Sequence, residues 1–324
     1  MIDSSEAISV RNDLQTIAFY NCENLFDILD DKRTNDNEYT SNSIKKWTNP
    51  RYENKLRKLS FAISHIGKQE TGKHPALVGL AEVENAKVVK DLINQDNLVG
   101  CNYNYVHYNS LDKRGIDVAL IYDRTVFKVV HSETFSIDLV NPVDGDLDLT
   151  RDILLVSGLL DGEKIHVLVN HWSSRREGEK ETEYKRMTSS GKLSAIIEDL
   201  KSEDADAKIV IMGDFNDEPF NNSMRMLEQT HQLHNTMKTV RSFSRGTTIH
   251  NRKWNLFDQI IISINFFKSA ENQFEFLKAD IFDADFLKTF RGRYKGAPFR
   301  TYTGRKYTGG YSDHFPVYAI FKKR

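Results

Sequence analysis

The chain has 324 residues, enough for one large α/β domain or two small ones and for a core that needs no disulfides. Apolar residues make up 39% of the chain and charged residues 28%, which excludes a disordered polypeptide. With a mean hydropathy of −0.53, no apolar run approaches the roughly 18 residues of a membrane span. The formal net charge of −1 excludes a strong overall field for polyanions but is compatible with a local basic groove.

The two cysteines, Cys22 and Cys101, cannot form a disulfide framework, and their spacing matches no zinc motif. Residues 1–14 contain no apolar segment typical of a secretory signal, so a cytoplasmic location is expected. A signal removed ahead of this start would leave the same sequence.

The hydrophobic pattern predicts strands that alternate with helices. Residues 15–20 form the first expected strand, and a long polar loop follows over 30–48. Asn49-Pro50 supplies an N-cap with proline at the first helical position, which predicts a helix over 50–67. Its apolar residues recur at helical spacing: Leu56, Leu59, Ile63 and Ile66.

A charged helix is predicted over 180–201. Further strands are expected over 76–80, 103–108, 116–122, 126–135, 153–160, 164–170, 208–212, 256–263 and 315–321. About nine or ten strands exceed one open sheet of ordinary size. Several follow one another without a helix, as antiparallel neighbours do. We therefore predict an α/β (α+β) fold with two packed mixed sheets and helices outside. Because no Pro/Gly/Ser-rich linker divides the sequence, one domain over 1–324 is expected.

Clusters of polar residues stand at the ends of six predicted strands. They are Asn21 with Glu23-Asn24, Glu82 with Glu84-Asn85, Asn170-His171, Asp214-Phe215-Asn216-Asp217, Asp258, and Ser312-Asp313-His314. Active sites commonly gather on loops that rigid strands hold in place. The six clusters therefore predict a single crevice.

The side chains in these clusters suit a divalent cation and a phosphate. Hard oxygen donors are available from Asn21, Glu82, Asp214, Asn216 and Asp313. Such donors favour Mg²⁺ or Mn²⁺ over zinc. His171 and His314 can donate to an anionic oxygen or move a proton near neutral pH, and Asp258 can orient one imidazole. Since no covalent nucleophile is evident, metal-assisted attack of water on a phosphate ester is the matching chemistry.

Each cluster also has a purely structural interpretation. Residues 214–216 are typical of a turn, and Glu82 can cap a helix. His171 can pack against the next tryptophan, and Asp258 can be a strand-edge charge. Asp313-His314 is harder to explain in this way, because polar residues beside a buried strand need partners. The joint occurrence of all these clusters favours a shared site.

Seven stretches resemble the endonuclease/exonuclease/phosphatase superfamily, which includes DNase I-like nucleases, abasic-site endonucleases, sphingomyelinases and inositol-polyphosphate phosphatases. In chain order they cover residues 20–26, 80–85, 114–120, 170–172, 213–217, 258–261 and 312–317. The resemblance implies a four-layer α/β/β/α sandwich. Glu-Val-Glu-Asn at 82–85 is similar to bacterial nucleases and departs from the Gln-Glu-Thr-Lys form of the abasic-site repair branch.

The resemblance also implies roles for the metal ligands and the water-activating residues. Glu82 would be the principal ligand of Mg²⁺ or Mn²⁺, aided by Asn21 and Asp313. Asp214 would orient or deprotonate the attacking water. Asn216 would hold a phosphate oxygen or the metal.

The remaining roles concern the phosphate. His314 would lie against it with Asp258 behind, and His171 would stabilise charge on the phosphoryl oxygens or assist the leaving group. The resemblance leaves open whether Asp214 or His314 is the base. Arg114 is grouped with the substrate-binding residues, and Asp117 in the same stretch is expected to form a structural hydrogen bond.

Two cationic segments are candidates for substrate contact. Arg175 and Arg176 can clamp a phosphate, or can pair with the glutamates that follow them. Residues 286–312 contain Arg291, Arg293 and further cations interleaved with aromatic residues, and no acidic residue. Alternating cations and rings suit a nucleic-acid strand. Alternatively, the rings pack inward and the cations are solvated.

Three functions follow from these patterns. The expected one is a metal-dependent nuclease or phosphodiesterase acting on DNA or RNA, which the cationic and aromatic segment favours. The second is a phosphatase or phosphodiesterase for a small phosphorylated molecule, such as an inositol phosphate or a phospholipid headgroup. The third is a non-catalytic binding module, which the intact set of acids and histidines disfavours. Fold and metal site alone do not separate the first two functions.

Overall fold

The computed structural model of the chain describes residues 10–141, 145–240, 242–250, 252–268 and 270–324. Its α-helices are α1 (Asn49–His65), α2 (Lys68–Thr71), α3 (Ala86–Ile93), α4 (Glu183–Glu203) and α5 (Asn222–His231). The first strands are β1 (Leu14–Leu25), β2 (Leu77–Val83), β3 (Tyr103–His107), β4 (Asp117–Asp123), β5 (Phe127–Phe135), β6 (Leu139–Val140), β7 (Leu147–Asp148), β8 (Ile153–Leu160) and β9 (Glu163–His171). The others are β10 (Ile209–Asp214), β11 (Leu233–Asn235), β12 (Thr248–His250), β13 (Lys253–Asn255), β14 (Asp258–Ser263), β15 (Phe274–Ile281), β16 (Tyr302–Thr303), β17 (Lys306–Tyr307) and β18 (Val317–Lys323).

Two six-stranded mixed sheets form the centre of the molecule. The first sheet has the order β15-β18-β1-β2-β4-β3, and the second has the order β11-β14-β10-β9-β8-β5. Each contains one parallel pair near its middle, β1 with β2 and β9 with β10, while the other neighbours are antiparallel. The predicted pair of mixed sheets is therefore confirmed.

The side chains of β10 show how the second sheet is sandwiched between two apolar layers. Val210 and Met212 belong to the large core that also contains the first sheet, whereas Ile209 and Ile211 belong to a separate core. Successive side chains of a strand point to opposite faces of its sheet. The second sheet is thus buried on both faces, and one of those faces packs against the first sheet.

Helices cover the outer faces of both sheets. α1 buries Tyr52, Leu56, Leu59 and Ile63 in the core around the first sheet. α4 and α5 bury apolar residues in the core on the outer face of the second sheet: Leu193, Ile196, Ile197, Leu200, Met224 and Leu227. The predicted four-layer α/β/β/α arrangement is confirmed.

Three helices, α2, α3 and α5, and several strands, including the edge strands β11 and β15, were not among the predicted elements. In α3, the side chain of Asn85 accepts a hydrogen bond from the Val88 amide, so a residue interpreted as part of a polar site cluster is the N-cap of a short helix. α5 is short as well. β15 lies at the edge of the first sheet. A register shift between Phe276 and Lys278 interrupts the alternation of its side chains between the two faces of the sheet.

The polar segment over 30–48 is fixed to the body of the molecule at its second half. Trp47 is fully buried and its indole Nε1 donates to the Phe26 carbonyl at 2.9 Å. The ring of Tyr39 lies 4.4 Å from that of Phe26. The segment also contains a short 3₁₀ turn over Asn37–Tyr39. This packing gives the polar segment a defined position beside the end of β1.

Among the described residues, no helix is both long enough and apolar enough to cross a membrane.

Replacing Trp47 with alanine should lower the free energy of unfolding by about 3–5 kcal/mol, because a fully buried indole is removed together with its hydrogen bond. Denaturant titration followed by circular dichroism measures the change. The matched control is Phe243→Ala, since Phe243 is 97% exposed and should leave the midpoint unchanged. Equal midpoints for Trp47→Ala and wild type would show that the segment is not anchored by this residue.

Candidate active site

The predicted site residues reach one edge of the sandwich because of the strand directions. The parallel pairs β1 with β2 and β9 with β10 carry Asn21, Glu82, His171 and Asp214 at or near their carboxyl ends. Strands that run the opposite way begin at the same edge. β14 starts with Asp258 directly opposite Asp214, and β18 follows the Asp313-His314 pair.

Irregular backbone marks this edge. Four non-glycine residues near it have positive φ: Glu23 (49°), Asn24 (56°), Glu82 (60°) and Asn216 (50°). The pairing of β2 shifts register on both sides of Glu82, against β1 and against β4. Non-glycine residues in the left-handed region cost energy and tend to occur at functional sites. The bulge takes Glu82 out of regular strand pairing.

One carboxylate oxygen of Glu82 is positioned by the backbone and the other faces the crevice. Its Oε2 accepts the Asn24 amide at 2.8 Å. Its Oε1 lies 3.7 Å from a guanidinium nitrogen of Arg114 and 3.9 Å from His171 Nε2. Both distances exceed those of a good hydrogen bond. This oxygen is therefore suitably placed to accept a cation.

Two hydrogen bonds connect the sheets at the site. Asn21 Nδ2 donates to Asp214 Oδ2 at 3.0 Å, and His314 Nδ1 lies 2.7 Å from Asp258 Oδ2. Asn21 and His314 belong to the first sheet and its approach, whereas both aspartates belong to the second sheet. Ser312 supports the arrangement, because its hydroxyl donates to the Asn21 carbonyl at 2.6 Å and accepts the His314 amide at 3.1 Å.

The buried ionisable groups where the two sheets meet shift one another's pKa values. Burial and the adjacent Asp258 carboxylate raise the pKa of Asp214 to about 7. Burial disfavours the charged form of His314, but Asp258 and Asp214 outweigh it and raise the pKa of His314 well above its usual value. His314 Nε2 lies 3.9 Å from Asp214 Oδ2. His314 is thus an imidazolium between two aspartates at neutral pH.

His171 has the opposite character. Its Nε2 lies 3.9 Å from Asp214 Oδ2, and its Nδ1 is buried without a hydrogen-bond partner. Burial and the positive charges of Arg151 and Arg114 hold the pKa of His171 well below the usual value. The two site histidines therefore differ at neutral pH, with His171 neutral and His314 charged.

Asp313 is joined to a cation that was not among the predicted site residues. Arg300 donates to Asp313 Oδ2 at 2.6 Å and reaches Glu23 Oε1 at 3.4 Å. Burial opposes the charged form of Asp313, but His314 and Arg300 lower its pKa below the usual value. The side chain of Arg300 is 45% exposed, so its guanidinium lies at the mouth of the crevice.

A second ion pair lies behind Glu23. Glu23 Oε2 accepts the Thr301 amide at 2.6 Å and lies 3.9 Å from Lys55 Nζ. Lys55 is a residue of α1, and its side chain is fully buried. Lys55 also donates to the Tyr311 carbonyl at 2.6 Å. Lysine in an amphipathic helix is ordinarily solvent-exposed, so neither the periodicity nor the composition indicated that Lys55 would support the site.

The arginines predicted to bind substrate lie in different environments. Arg114 donates to Asn24 Oδ1 at 2.6 Å beside Glu82 and faces the crevice. The turn that carries it is held by Asp117, which accepts the Ser110 amide at 3.1 Å. Arg175 instead contacts the Asn216 carbonyl, Asp217, Asn221 and Glu179, so protein groups occupy its guanidinium. Arg176 is exposed.

Asn216 is also held from behind. Its backbone amide donates to Asp214 Oδ1 at 3.0 Å, and its side-chain Nδ2 donates to the Trp172 carbonyl at 3.0 Å. The buried Arg151 donates to the same carbonyl at 3.0 Å and to Asp112 at 3.0 Å. Arg151 precedes β8 without any local motif, so only the folded structure reveals its place beside the site.

The cationic and aromatic segment over 286–312 divides into two parts. Most of its rings pack inward, as in the structural interpretation: Phe286, Phe299, Tyr302, Tyr307 and Tyr311. Its projecting loop has Phe290 69% exposed and Tyr294 47% exposed, with Arg291 and Arg293 stacked near these rings. The structure thus leaves two rings and two guanidinium groups together at the surface.

The donors at the site fit a divalent cation. Asp214, Asp258 and His314 each place one possible ligand atom within 4.8 Å of the other two. Asp258 is fully buried and its Oδ2 already bonds His314, although its Oδ1 has no hydrogen-bond partner. Glu82 Oε1, by contrast, has only long contacts. Carboxylate and amide oxygens are the donors that Mg²⁺ and Mn²⁺ prefer.

Comparisons with known proteins agree with this fold. A family model described as the endonuclease/exonuclease/phosphatase family matches residues 16–323. A protein of that family from Bacteroides thetaiotaomicron has 16% identity and a TM-score of 0.59, covering 95% of this chain and 97% of that one.

Two other solved structures are similar at the level of the fold. A mannosyl-6-phosphatase from Bacteroides thetaiotaomicron has 15% identity, a TM-score of 0.57 and coverages of 95% and 99%. D. rerio TDP2, solved with a single strand DNA product, has 13% identity, a TM-score of 0.58 and coverages of 96% and 100%. No match to this chain was found among curated protein sequences. Because the family model covers nearly the whole sequence, the chain belongs to the endonuclease/exonuclease/phosphatase family.

Proposed function

We propose that the protein is a divalent-metal-dependent phosphoesterase, and specifically a nuclease that hydrolyses phosphodiester bonds of DNA or RNA. The observation that carries the proposal is the meeting of Glu82, Asp214, Asp258 and His314 from both sheets at one edge. Members of the family hydrolyse phosphoesters and generally use a divalent metal.

Glu82, with Asn21 and Asp313, would hold Mg²⁺ or Mn²⁺. When bound, the cation neutralises charge on the phosphate and polarises its oxygens. Arg300 and Arg114 flank these ligands and would bind non-bridging phosphate oxygens at the mouth of the crevice. Arg175 is assigned to supporting the Asn216 loop, since its donors are satisfied by protein groups.

The remaining residues would manage the attacking water and the developing charge. Asp214 in its ionised form would accept a proton from the water, with Asn21 fixing one of its oxygens. His314 would donate to a phosphoryl oxygen from Nε2, because Asp258 holds Nδ1. His171 is neutral and would donate from Nε2 to the phosphoryl oxygens, and Asn216 would orient the phosphate.

The projecting loop over 288–296 supports nucleic acid as the substrate. Its paired guanidinium groups and exposed rings can contact a phosphate backbone and stacked bases. Pro298 pairs with Lys288 at the base of this loop, and Arg300 at the crevice follows soon after. The loop therefore projects from the border of the site.

The alternative substrate, a small phosphorylated molecule such as a phospholipid headgroup, is favoured by a different surface. The hairpin of β6 and β7 exposes Val140 and Leu147. Its Asp148 is 3.8 Å from Lys113, the neighbour of Arg114. Two exposed apolar side chains near the segment that carries Arg114 suit a phosphoester with an acyl chain. The two substrate classes are separated by comparing rates of hydrolysis for five compounds: supercoiled DNA, single-stranded RNA, bis-p-nitrophenyl phosphate, an inositol polyphosphate and phospholipid vesicles.

Removing the His314 imidazole should lower turnover by about 10²–10⁴-fold, because a charged donor aimed at the phosphate is lost. Mg²⁺-dependent hydrolysis of bis-p-nitrophenyl phosphate by His314→Ala measures the loss. His131→Ala is the control, since His131 is an exposed histidine paired with Glu133. Near-wild-type turnover by folded His314→Ala would remove His314 from the proposed mechanism.

Cation binding should weaken by up to about tenfold between about pH 8 and pH 6, because protonation of Asp214, whose pKa is about 7, removes a negative charge beside the proposed ligand Asn21. The raised pKa means that Asp214 is ionised above this value and protonated below it. Calorimetric titration with Mn²⁺ at the two pH values tests this, with exposed Asp199→Asn as control. Asp214→Asn should flatten the dependence, and a flat wild-type profile would contradict the prediction.

Reversing charge at the projecting loop should weaken polynucleotide binding. Arg291→Glu combined with Arg293→Glu should reduce affinity for single-stranded DNA at least about tenfold and lower the salt slope by about 1.4, two contacts at about 0.7 each. Fluorescence anisotropy over a range of salt concentrations measures both. The control, Lys128→Glu with Lys164→Glu, makes the same charge change at exposed positions distant from His171 on the second sheet. Unchanged affinity in the loop variant would count against nucleic acid at this surface.

A further inference from the structure

A buried guanidinium stands behind two residues that the proposed function assigns to the phosphate. Arg151 lies just before β8, and its side chain is only 8% exposed. A buried charge needs hydrogen-bonding partners, and the partners of this one lie on two different loops of the site. One loop carries Arg114, and the other carries Asn216.

The first contact of Arg151 leads to the Arg114 turn. Its Nη1 donates to Asp112 Oδ2 at 3.0 Å. The other carboxylate oxygen of Asp112, Oδ1, accepts the Arg114 amide at 2.9 Å. The Asp112 carbonyl accepts the Gly115 amide at 3.0 Å and so closes the turn. Asp112 therefore fixes the backbone of Arg114, and Arg151 fixes the carboxylate that does so.

The second contact leads to the amide side chain of Asn216. Nη2 of Arg151 donates to the Trp172 carbonyl at 3.0 Å, and the same oxygen accepts Asn216 Nδ2 at 3.0 Å. The backbone amide of Trp172 donates to the Asp214 carbonyl at 2.9 Å. The carbonyl that holds Asn216 is thus oriented by strand pairing on one side and by the guanidinium on the other.

The planar shape of the guanidinium sets the spacing of the two contacts. Asp112 lies 39 positions before Arg151 in the sequence, and Trp172 lies 21 positions after it. The two terminal nitrogens of an arginine form a rigid fork, whereas a lysine presents all its donors from a single ammonium nitrogen. A lysine at position 151 would therefore keep the charge without reproducing both contacts in their present geometry.

We propose that Arg151 is a positioning residue that holds Arg114 and Asn216 at a fixed spacing for one phosphate group. The inference rests on the proposed function, in which both residues contact the phosphate. Arg151 acts on Arg114 through Asp112 and on Asn216 through the Trp172 carbonyl. Because a displacement of about 1 Å at the reacting groups can lower the rate by about 10²-fold, loss of either contact should reduce catalysis.

The test measures kcat and KM of folded variants with the fastest-hydrolysed of the five candidate substrates. Arg151→Lys should lower kcat/KM by at least about tenfold. Asp112→Asn gives a second route, because the asparagine replaces one of the two acceptor oxygens with a donor group. Its effect on kcat/KM should be of similar size. Circular dichroism verifies that each variant is folded.

A double-mutant cycle with Arg114 separates positioning from a general structural role. In an Arg114→Met background, Asp112→Asn should lower kcat/KM by less than about threefold, since the group that Asp112 positions is already absent. A residue that only stabilises the fold would lower kcat/KM by the same factor in both backgrounds.

Lys208→Met is the matched control, because Lys208 is also a buried cation with two acceptors. Its Nζ lies 2.7 Å from Glu163 Oε1 and donates to the Phe274 carbonyl at 2.8 Å. Lys208 precedes β10, at the opposite end of that strand from Asp214. Its loss should lower the free energy of unfolding and leave kcat/KM of the folded protein unchanged.

Two results would overturn the positioning role alone. One is wild-type kcat/KM in both Arg151→Lys and Asp112→Asn, and the other is an equal loss from Asp112→Asn with and without Arg114. Either result leaves the proposed phosphoesterase activity intact. Failure of the wild-type protein to hydrolyse any of the five compounds would instead contradict the proposed function, and the role of Arg151 with it.

Discussion

The contacts on which the site depends are the two polar hydrogen bonds that join the sheets at one edge. Asn21 on β1 bonds Asp214, and His314, which lies just before β18, bonds Asp258, so both links reach from the side of the first sheet to an aspartate of the second. Apolar packing between the sheets fixes their separation, but it is non-directional and does not orient the polar side chains at the edge. These directional bonds set the relative position of the acids and imidazoles within a few ångströms.

Crowding of acids at this edge is compensated by cations from distant parts of the chain. Glu23, Asp214, Asp258 and Asp313 lie near one another, and such a group would be unfavourable without counter-charges. Lys55, Arg300 and the charged His314 supply them. A bound divalent cation would add further compensation at Glu82. The protein's own cations thus neutralise only part of the negative charge at the site, as expected for a site that binds a metal cation.

The sequence was sufficient to predict the layered fold. The apolar run over 208–212 and the proline at position 50 are local signals, and the structure has a strand and a helix at these places. The predicted N-cap was wrong by one residue, because Thr48 caps the helix and Asn49 is its first residue. The polar ends of strands also indicated where chemistry would gather. The Asn85 N-cap was misread because capping and metal binding use the same side chains.

Other features could not be predicted because they depend on long-range contacts. Arg300 meets Glu23 across 277 positions of sequence, and no local pattern encodes that pairing. The left-handed backbone at Glu82 arises from bulges against two neighbouring strands. The rings of 286–312 also divided between core and surface, which composition alone does not specify.

The most direct test of the proposed metal site locates the cation. Crystals grown with Mn²⁺ should show an anomalous difference peak about 2.1 Å from Glu82 Oε1, near the oxygens of Asn21 and Asp313. Density at that position would place the cation where the two sheets meet. A peak confined to a distant acidic surface, or no peak at saturating Mn²⁺ with Glu82 well ordered, would contradict the proposed metal site.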